Sequence, residues 1–278
     1  MSKLLDMFTQ VRRAQGGSGM GFVGKSKAAT KPRAAALVVE MSEIDRESVE
    51  AAIKAGADGL LFTWDGKDKG EGEIETLKQA IDAATTSDEK IVCGLQVSGG
   101  WDKLERESME RFKDVGVEYI VLPLQAPARL LALKVKDLDL VVTVPMREGE
   151  MYPLFIRNLT AFDNITAVRL DFWLTDEIGT MTIEDALHYR AVREAVRFPA
   201  LLNVRGNMNA ADAYTLVTLG AQAVVLSAGD MGAKTQKQIK ALRELLEKVH
   251  AEEKEKEKGK NTPTLLGRTS APAPGTLN

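Results

Sequence analysis

The chain is poor in the residues that most often announce a function. Among 278 residues there is one cysteine (Cys93), two histidines (His188 and His250), and only 5% Phe, Trp and Tyr. A single thiol excludes an intramolecular disulfide and fits a reducing compartment, so a cytoplasmic protein is expected. Neither histidine ends a strand-like run, which argues against a zinc centre built from two or three histidines. No lysine stands at the C-terminal end of such a run; Lys90 opens one instead, so a Schiff-base aldolase lacks its nucleophile. The net charge of −3 argues against a nucleic-acid binder, which carries a basic face. No apolar stretch approaches the ~18 residues of a membrane span. The N-terminus shows no continuous apolar segment with a cleavage site, so no leader peptide is expected.

What the chain does have is a recurring phrase: an amphipathic run, then Gly, then a small or β-branched residue, then an apolar strand. It reads Ala55-Gly56-Ala57-Asp58, Val115-Gly116-Val117-Glu118 and Leu219-Gly220-Ala221-Gln222, each followed by residues such as Leu60-Leu61-Phe62. A glycine there suits the left-handed end of a helix that feeds a buried strand. Eight strand-like runs follow from the same reading: 34–40, 58–64, 90–96, 117–123, 138–144, 165–171, 199–205 and 221–227. They are rich in Val, Ile and Leu on both faces, as strands covered on both sides must be. Amphipathic segments at 46–55, 74–84, 104–115, 183–196 and 210–219 alternate with them. The links at 128–136 and 152–162 are less clearly helical. Eight strands with alternating helices predict an α/β fold, the (β/α)8 TIM barrel.

Three parts are expected: an N-terminal helix and Gly-rich arm (1–33), the barrel (34–250), and a charged helix end with a disordered tail (251–278). Leu4, Leu5, Phe8 and Val11 share one helical face, which packs on this domain or on a partner. A homo-oligomer or a partner contact through residues 1–33 therefore stays open. Gly19 to Ser26 (GMGFVGKS) satisfies the P-loop pattern. Phosphate binding by that loop needs a strand before it and a helix after it, and here a polar Gly-rich segment precedes and Pro32 soon follows. The tract Glu252–Lys258 alternates in charge and reads as a solvated helix end. Residues 260–278, rich in Thr, Pro, Gly and Ala, read as disordered.

Side chains alternate along a strand, so the residues that face the barrel axis can be read off. Glu40, Gln96, Arg169, Asp171, Asn203 and Arg205 all fall inward near strand C-termini, where barrels of this kind carry their chemistry. A purely apolar core would not use them, and unpaired buried charges cost several kcal/mol. They must brace one another, as Arg169 could with Asp171 or Glu40, or meet a polar ligand. Cys93 falls on the helix side and reads as packing. Trp64, Trp101 and Trp173 follow strands at the same end and would wall a ligand site, or pack as a lid or an oligomer contact.

The last two units, Leu202-Asn203-Val204-Arg205-Gly206-Asn207 and Val225-Leu226-Ser227-Ala228-Gly229-Asp230, resemble the phosphate-binding half of aldolase-type TIM barrels. That superfamily includes phosphosugar isomerases and lyases and FMN-dependent oxidoreductases. The resemblance implies a phosphate held by backbone N–H groups around Gly206 and Asn207 and around Ser227, Ala228 and Gly229. The chain departs from the Gly-Gly pair common after the seventh strand, having Arg205-Gly206, and it adds Asp230. Three readings follow. One is a lyase or isomerase for a small phosphorylated or anionic metabolite, with Glu40 and Asp171 as acid/base groups and Arg205 as anion clamp. Gln96, Arg169 and Asn203 would complete its binding site. The second is an FMN-binding oxidoreductase, and the third a non-catalytic binding or assembly barrel. Mg²⁺ on the carboxylates has no spacing signature, and no metal-ligand set is assigned.

Overall fold

A computed structural model describes residues 2–13, 31–66, 71–85, 91–147, 149, 151–171, 181–204, 208–229 and 231–260. Eight parallel strands close into a barrel in chain order: β1 (Ala36–Met41), β2 (Gly59–Trp64), β3 (Val92–Val97), β4 (Tyr119–Pro123), β5 (Asp139–Pro145), β6 (Ile165–Asp171), β7 (Ala200–Val204) and β8 (Ala223–Ala228). β8 pairs with β1, which closes the ring. The helices are α1 (Lys3–Gln10), α2 (Arg46–Ala55), α3 (Glu71–Thr85), α4 (Arg106–Asp114), α5 (Tyr152–Arg157), α6 (Ile183–Val196), α7 (Ala210–Thr218) and α8 (Ala233–Lys260). The predicted (β/α)8 barrel is therefore the observed fold. The link after β4 is only a 3₁₀ turn, Ala128–Ala132, and α5 is short and continues into another, Asn158–Ala161. α8 runs unbroken through residue 250 to Lys260, and Lys256 lies 4.3 Å above the Tyr214 ring. No helix among the described residues is long and apolar enough to cross a membrane.

The recurring phrase does more than end helices. Gly56, Gly116 and Gly220 take positive φ (110°, 104° and 81°). The next residue then donates its N–H back five positions: Ala57 to Ala52, Val117 to Phe112 and Ala221 to Leu216, at 3.0–3.2 Å. This satisfies helix-end carbonyls that would otherwise be orphaned. The residue after that ties strands together. The Asp58 N–H donates to Leu37 O and its Oδ2 accepts from Leu37 N (2.7 and 2.8 Å). Glu118 treats Cys93 the same way (2.8 and 3.3 Å), and Gln222 treats Ala200 so (3.1 and 2.8 Å). Their carbonyls accept from the strand on the other side: Val92, Asp139 and Ala36. Three residues thus lace β7, β8 and β1 through β5 together at the base of the barrel.

The base is plugged by α1. Ser2 caps the helix by accepting from Leu5 N and donates its hydroxyl to Asp139 Oδ2 at 2.6 Å. Leu4, Met7, Phe8 and Val11 enter the barrel and join Val38, Leu61, Val92, Tyr119, Val121, Val141, Leu201 and Val225 in one buried cluster. Of the predicted apolar face, Leu4, Phe8 and Val11 are buried within this chain; Leu5 is exposed, and Met7 takes the fourth place because it, not Leu5, points into the barrel. Small inward residues make the room. A Cβ on Gly59 would sit 3.2 Å from Met7 Sδ, and one on Gly94 would sit 2.1 Å from Cζ of Tyr119, whose ring crosses the interior. A second, larger core fills the space between strands and helices; Cys93 lies there, as its alternation requires, with its thiol pushed up to about 12 by burial.

Two substitutions test these devices. Phe8→Ala should lower unfolding free energy by about 3–5 kcal/mol in urea titrations, the usual cost of emptying a core aromatic site. Glu118→Gln keeps the oxygen that holds Cys93 N–H, as Gln222 does naturally, and should cost under about 1 kcal/mol. Glu118→Ala leaves that N–H unpaired and should cost about 1–3 kcal/mol.

Candidate functional site at the C-terminal mouth

Lacing the base fixes the register, and the register decides what faces the axis at the other end. Glu40 stands two residues beyond Val38 on β1, Arg169 two beyond Ala167 on β6, and Asn203 two beyond Leu201 on β7; each lower partner lies in the inner cluster. The structure brings Glu40, Gln96, Arg169, Asp171, Asn203 and Ser227 together.

Arg169 is the centre. It is 4% exposed, and it is the only basic residue in the described part of the mouth network. Its Nη1 and Nη2 donate to Glu40 Oε1 and Oε2 at 3.1 and 2.9 Å, a two-pronged ion pair. Nε donates to Asn203 Oδ1 at 2.8 Å, and Nη1 also donates to Gln96 Oε1. A guanidinium has five N–H donors, so one on Nη2 remains. Asn203 passes the chain on, donating from Nδ2 to Asp171 Oδ1 at 3.0 Å. Ser227 donates its hydroxyl to Glu40 Oε2 at 2.5 Å. The brace between Arg169 and Glu40 is thus formed, and Asp171 joins it through Asn203.

The two carboxylates are not equivalent. Burial alone would raise the Glu40 carboxyl, but the hydrogen bonds and charge of Arg169 and the Ser227 hydroxyl outweigh it and hold the group below its ordinary value. Both Glu40 oxygens are engaged and the group is ionised near neutrality. Asp171 is half-buried at the end of β6, and its Oδ2 makes no hydrogen bond among the described residues.

Arg205, Gly206, Asn207, Asp230 and Trp173 lie outside the described residues, as does the segment Gly19–Ser26. Ser227 is exposed at the mouth, and Gly229 is exposed beside it. Ala228 packs into the helix-side core. The carbonyls of Ala228 and Gly229 accept from Ser42 Oγ at 2.6 and 3.1 Å, which pins the turn after β8 onto the end of β1. Ser42 therefore holds this turn, whereas Asp45 caps α2. Trp64 does not wall the mouth: its ring meets Phe112 of α4 edge-on, with centroids 5.4 Å apart, because alternation puts position 64 on the helix side. Trp101 is half-buried against the same helix-side core. Sequence reasoning missed Thr63 and Thr143, inward neighbours of Gln96 and Arg169 in the register. The same two-residue step, from Leu61 and Val141, would have found them. Among the described residues no three His, Cys, Asp or Glu side chains converge as a metal site.

No protein-family model matches the chain, and no curated protein sequence matches it. Solved structures do. Tryptophan synthase from M. tuberculosis aligns with a TM-score of 0.55 at 14% identity, covering 78% of this chain and 93% of that one. A mutant tryptophan synthase alpha-subunit from the hyperthermophile Pyrococcus furiosus gives 0.54 at 14%, covering 80% and 100%. The citrate synthase SbnG gives 0.51 at 14%, covering 81% and 95%. At such identities the likeness is one of fold: the chain is a (β/α)8 TIM barrel.

The Glu40–Arg169 pair makes a pH prediction. A carboxyl held below its unfolded value adds stability that is complete above the unfolded value of 4.5 and is lost as pH falls through the lower folded one. Glu40→Gln leaves Arg169 buried without a counter-charge and should cost about 3–5 kcal/mol near neutral pH. In urea titrations repeated at descending pH, the gap between wild type and variant should narrow only below the ordinary Glu range.

Proposed function

We propose that this barrel is a lyase or isomerase acting on a small phosphorylated or anionic metabolite at its C-terminal mouth. The observation that supports this most is the state of Asp171. It is held on one oxygen by the relay Glu40–Arg169–Asn203, and its other oxygen makes no hydrogen bond among the described residues. A carboxylate fixed on rigid strands with one open oxygen is suited to take a proton from a bound substrate and to return it. Glu40 is the fixed anion that holds Arg169 and Ser227 in place, and its two engaged oxygens make it the poorer proton carrier.

Arg169 is already neutralised by Glu40, so the anion clamp in this reading is Arg205, with Gly206, Asn207, Ser227, Ala228 and Gly229 around the phosphate. The remaining N–H of Arg169 and the second N–H of Asn203 Nδ2 are the described donors for an oxygen that becomes negative as the proton leaves. Gln96, Thr63 and Thr143 line the same axis and would contact the rest of the substrate. Chemistry at the strand C-termini is general for this fold, and the structures it resembles include a tryptophan synthase and a citrate synthase.

The test is proton exchange. The protein is incubated in D₂O with a panel of small phosphorylated hydroxy and keto compounds, and loss of C–H signal is followed by NMR. Wild type should exchange a proton in at least one compound. Asp171→Asn should slow that exchange by about 10²–10⁴-fold, the usual worth of a positioned acid/base group, with unchanged thermal unfolding. Full-rate exchange by Asp171→Asn would remove Asp171 from the chemistry, and no exchange anywhere in the panel would count against the class.

A further inference from the structure

The opposite end of the molecule carries a second concentration of polar groups, independent of the mouth. A cleft of about 310 Å³ opens between the last turns of α6 and the turn that joins α7 to β8. Arg190, Arg193 and Arg197 line it from α6, and Gly220 and Gln222 from the turn. Against these three cations there is one anion in the lining, Glu194. Its bond to Arg190 (2.9 Å) lies at the surface, with both side chains more than half exposed, and such pairs are weak. Arg193 and Arg197 form no ion pair among the described residues, so two positive charges stay unbalanced in a chain of net charge −3.

The obvious structural use for arginines at a helix end is to cap its carbonyls. Backbone N–H groups already serve part of that use. Arg193 O accepts from Arg197 N, Leu216 O from Ala221 N and Val217 O from Gly220 N. None of the three arginine side chains donates to a carbonyl among the described residues. Moreover, Nε of Arg193 is buried and has no hydrogen-bond partner. A buried charged donor left unpaired costs more than a neutral one, and it calls for an acceptor. Gln222 uses Oε1 to hold Ala200 N–H, which leaves its amide N–H groups free to donate. Apart from the exposed second oxygen of Glu194, the unpartnered side-chain groups here are donors, those of Arg193 and Arg197 charged.

We infer that this cleft binds a small phosphate-bearing anion through Arg193, Arg197 and Gln222. Guanidinium forks match phosphate oxygens in charge and in two-point geometry, and the volume admits a ligand larger than phosphate alone. The site is remote from Asp171 and does not depend on the reading of the mouth.

Calorimetric titration with inorganic pyrophosphate, at constant ionic strength, tests it on the full chain. Wild type should show saturable binding, and Arg193→Gln should weaken it at least tenfold. Arg197→Asn should do the same; Asn tolerates the left-handed backbone (φ 57°) at this exposed position, so this variant carries the test if Arg193→Gln fails to fold. Arg106→Gln, which removes an exposed arginine of α4 outside both sites, should bind as wild type does. Absence of saturable binding overturns the inference. So does wild-type affinity in both cleft variants, or an equal loss in Arg106→Gln, which would make the binding a matter of overall charge.

Discussion

The register of the barrel is the constraint on which everything else rests, and three side chains at its base enforce it. Asp58, Glu118 and Gln222 each hold a neighbouring strand at two points, through a backbone N–H and a side-chain oxygen. A slip of one residue would turn every inward side chain outward. It would carry Glu40, Arg169 and Asn203 into an apolar layer where an arginine has no partner. The base clamps and the mouth network therefore depend on each other across the length of the strands.

That dependence explains how a buried arginine is tolerated. Arg169 would be costly alone, and its worth as a source of net stability is small once desolvation is counted. What it contributes is position. It meets Glu40, Gln96 and Asn203 from three different strands, and through Asn203 it fixes Asp171 on its own strand. The barrel ends are treated oppositely. α1 seals the base with Leu4, Met7 and Phe8, while the mouth keeps half-buried polar groups. A sealed base and a polar mouth agree with ligand access from one end of the barrel axis. The arginine cleft lies outside that axis, at the helix ends around the base.

Much of this was legible in residue order. The β6 and α2 boundaries match their predicted runs, and all eight strands were readable because a strand buried on both faces leaves a short apolar run between turn signals. The inward set Glu40, Gln96, Arg169, Asp171 and Asn203 followed from a two-residue step. Trp64 misled because its place at a strand end was read without applying that step. Ser227 was assigned by resemblance to a phosphate, and its hydroxyl meets Glu40, a residue 187 positions away. The acid or amide two residues after each repeated glycine was visible in all three phrases, yet its meaning needed the neighbouring strand.

The sequence by itself determined the periodicity: glycine-ended helices, eight buried strands, and which face of each strand carries charge. These are local consequences of backbone geometry and side-chain alternation. Only the tertiary structure decided the partners. Closure of β8 onto β1 set Ser227 beside Glu40, brought Arg169 to both Glu40 and Asn203, and, among the described residues, left one oxygen of Asp171 without a hydrogen bond. Packing also set the turn between α7 and β8 against Arg190, Arg193 and Arg197, in a cleft whose one anion, Glu194, pairs with Arg190. Pairings of that kind depend on distances between residues far apart in the chain, which no local pattern encodes.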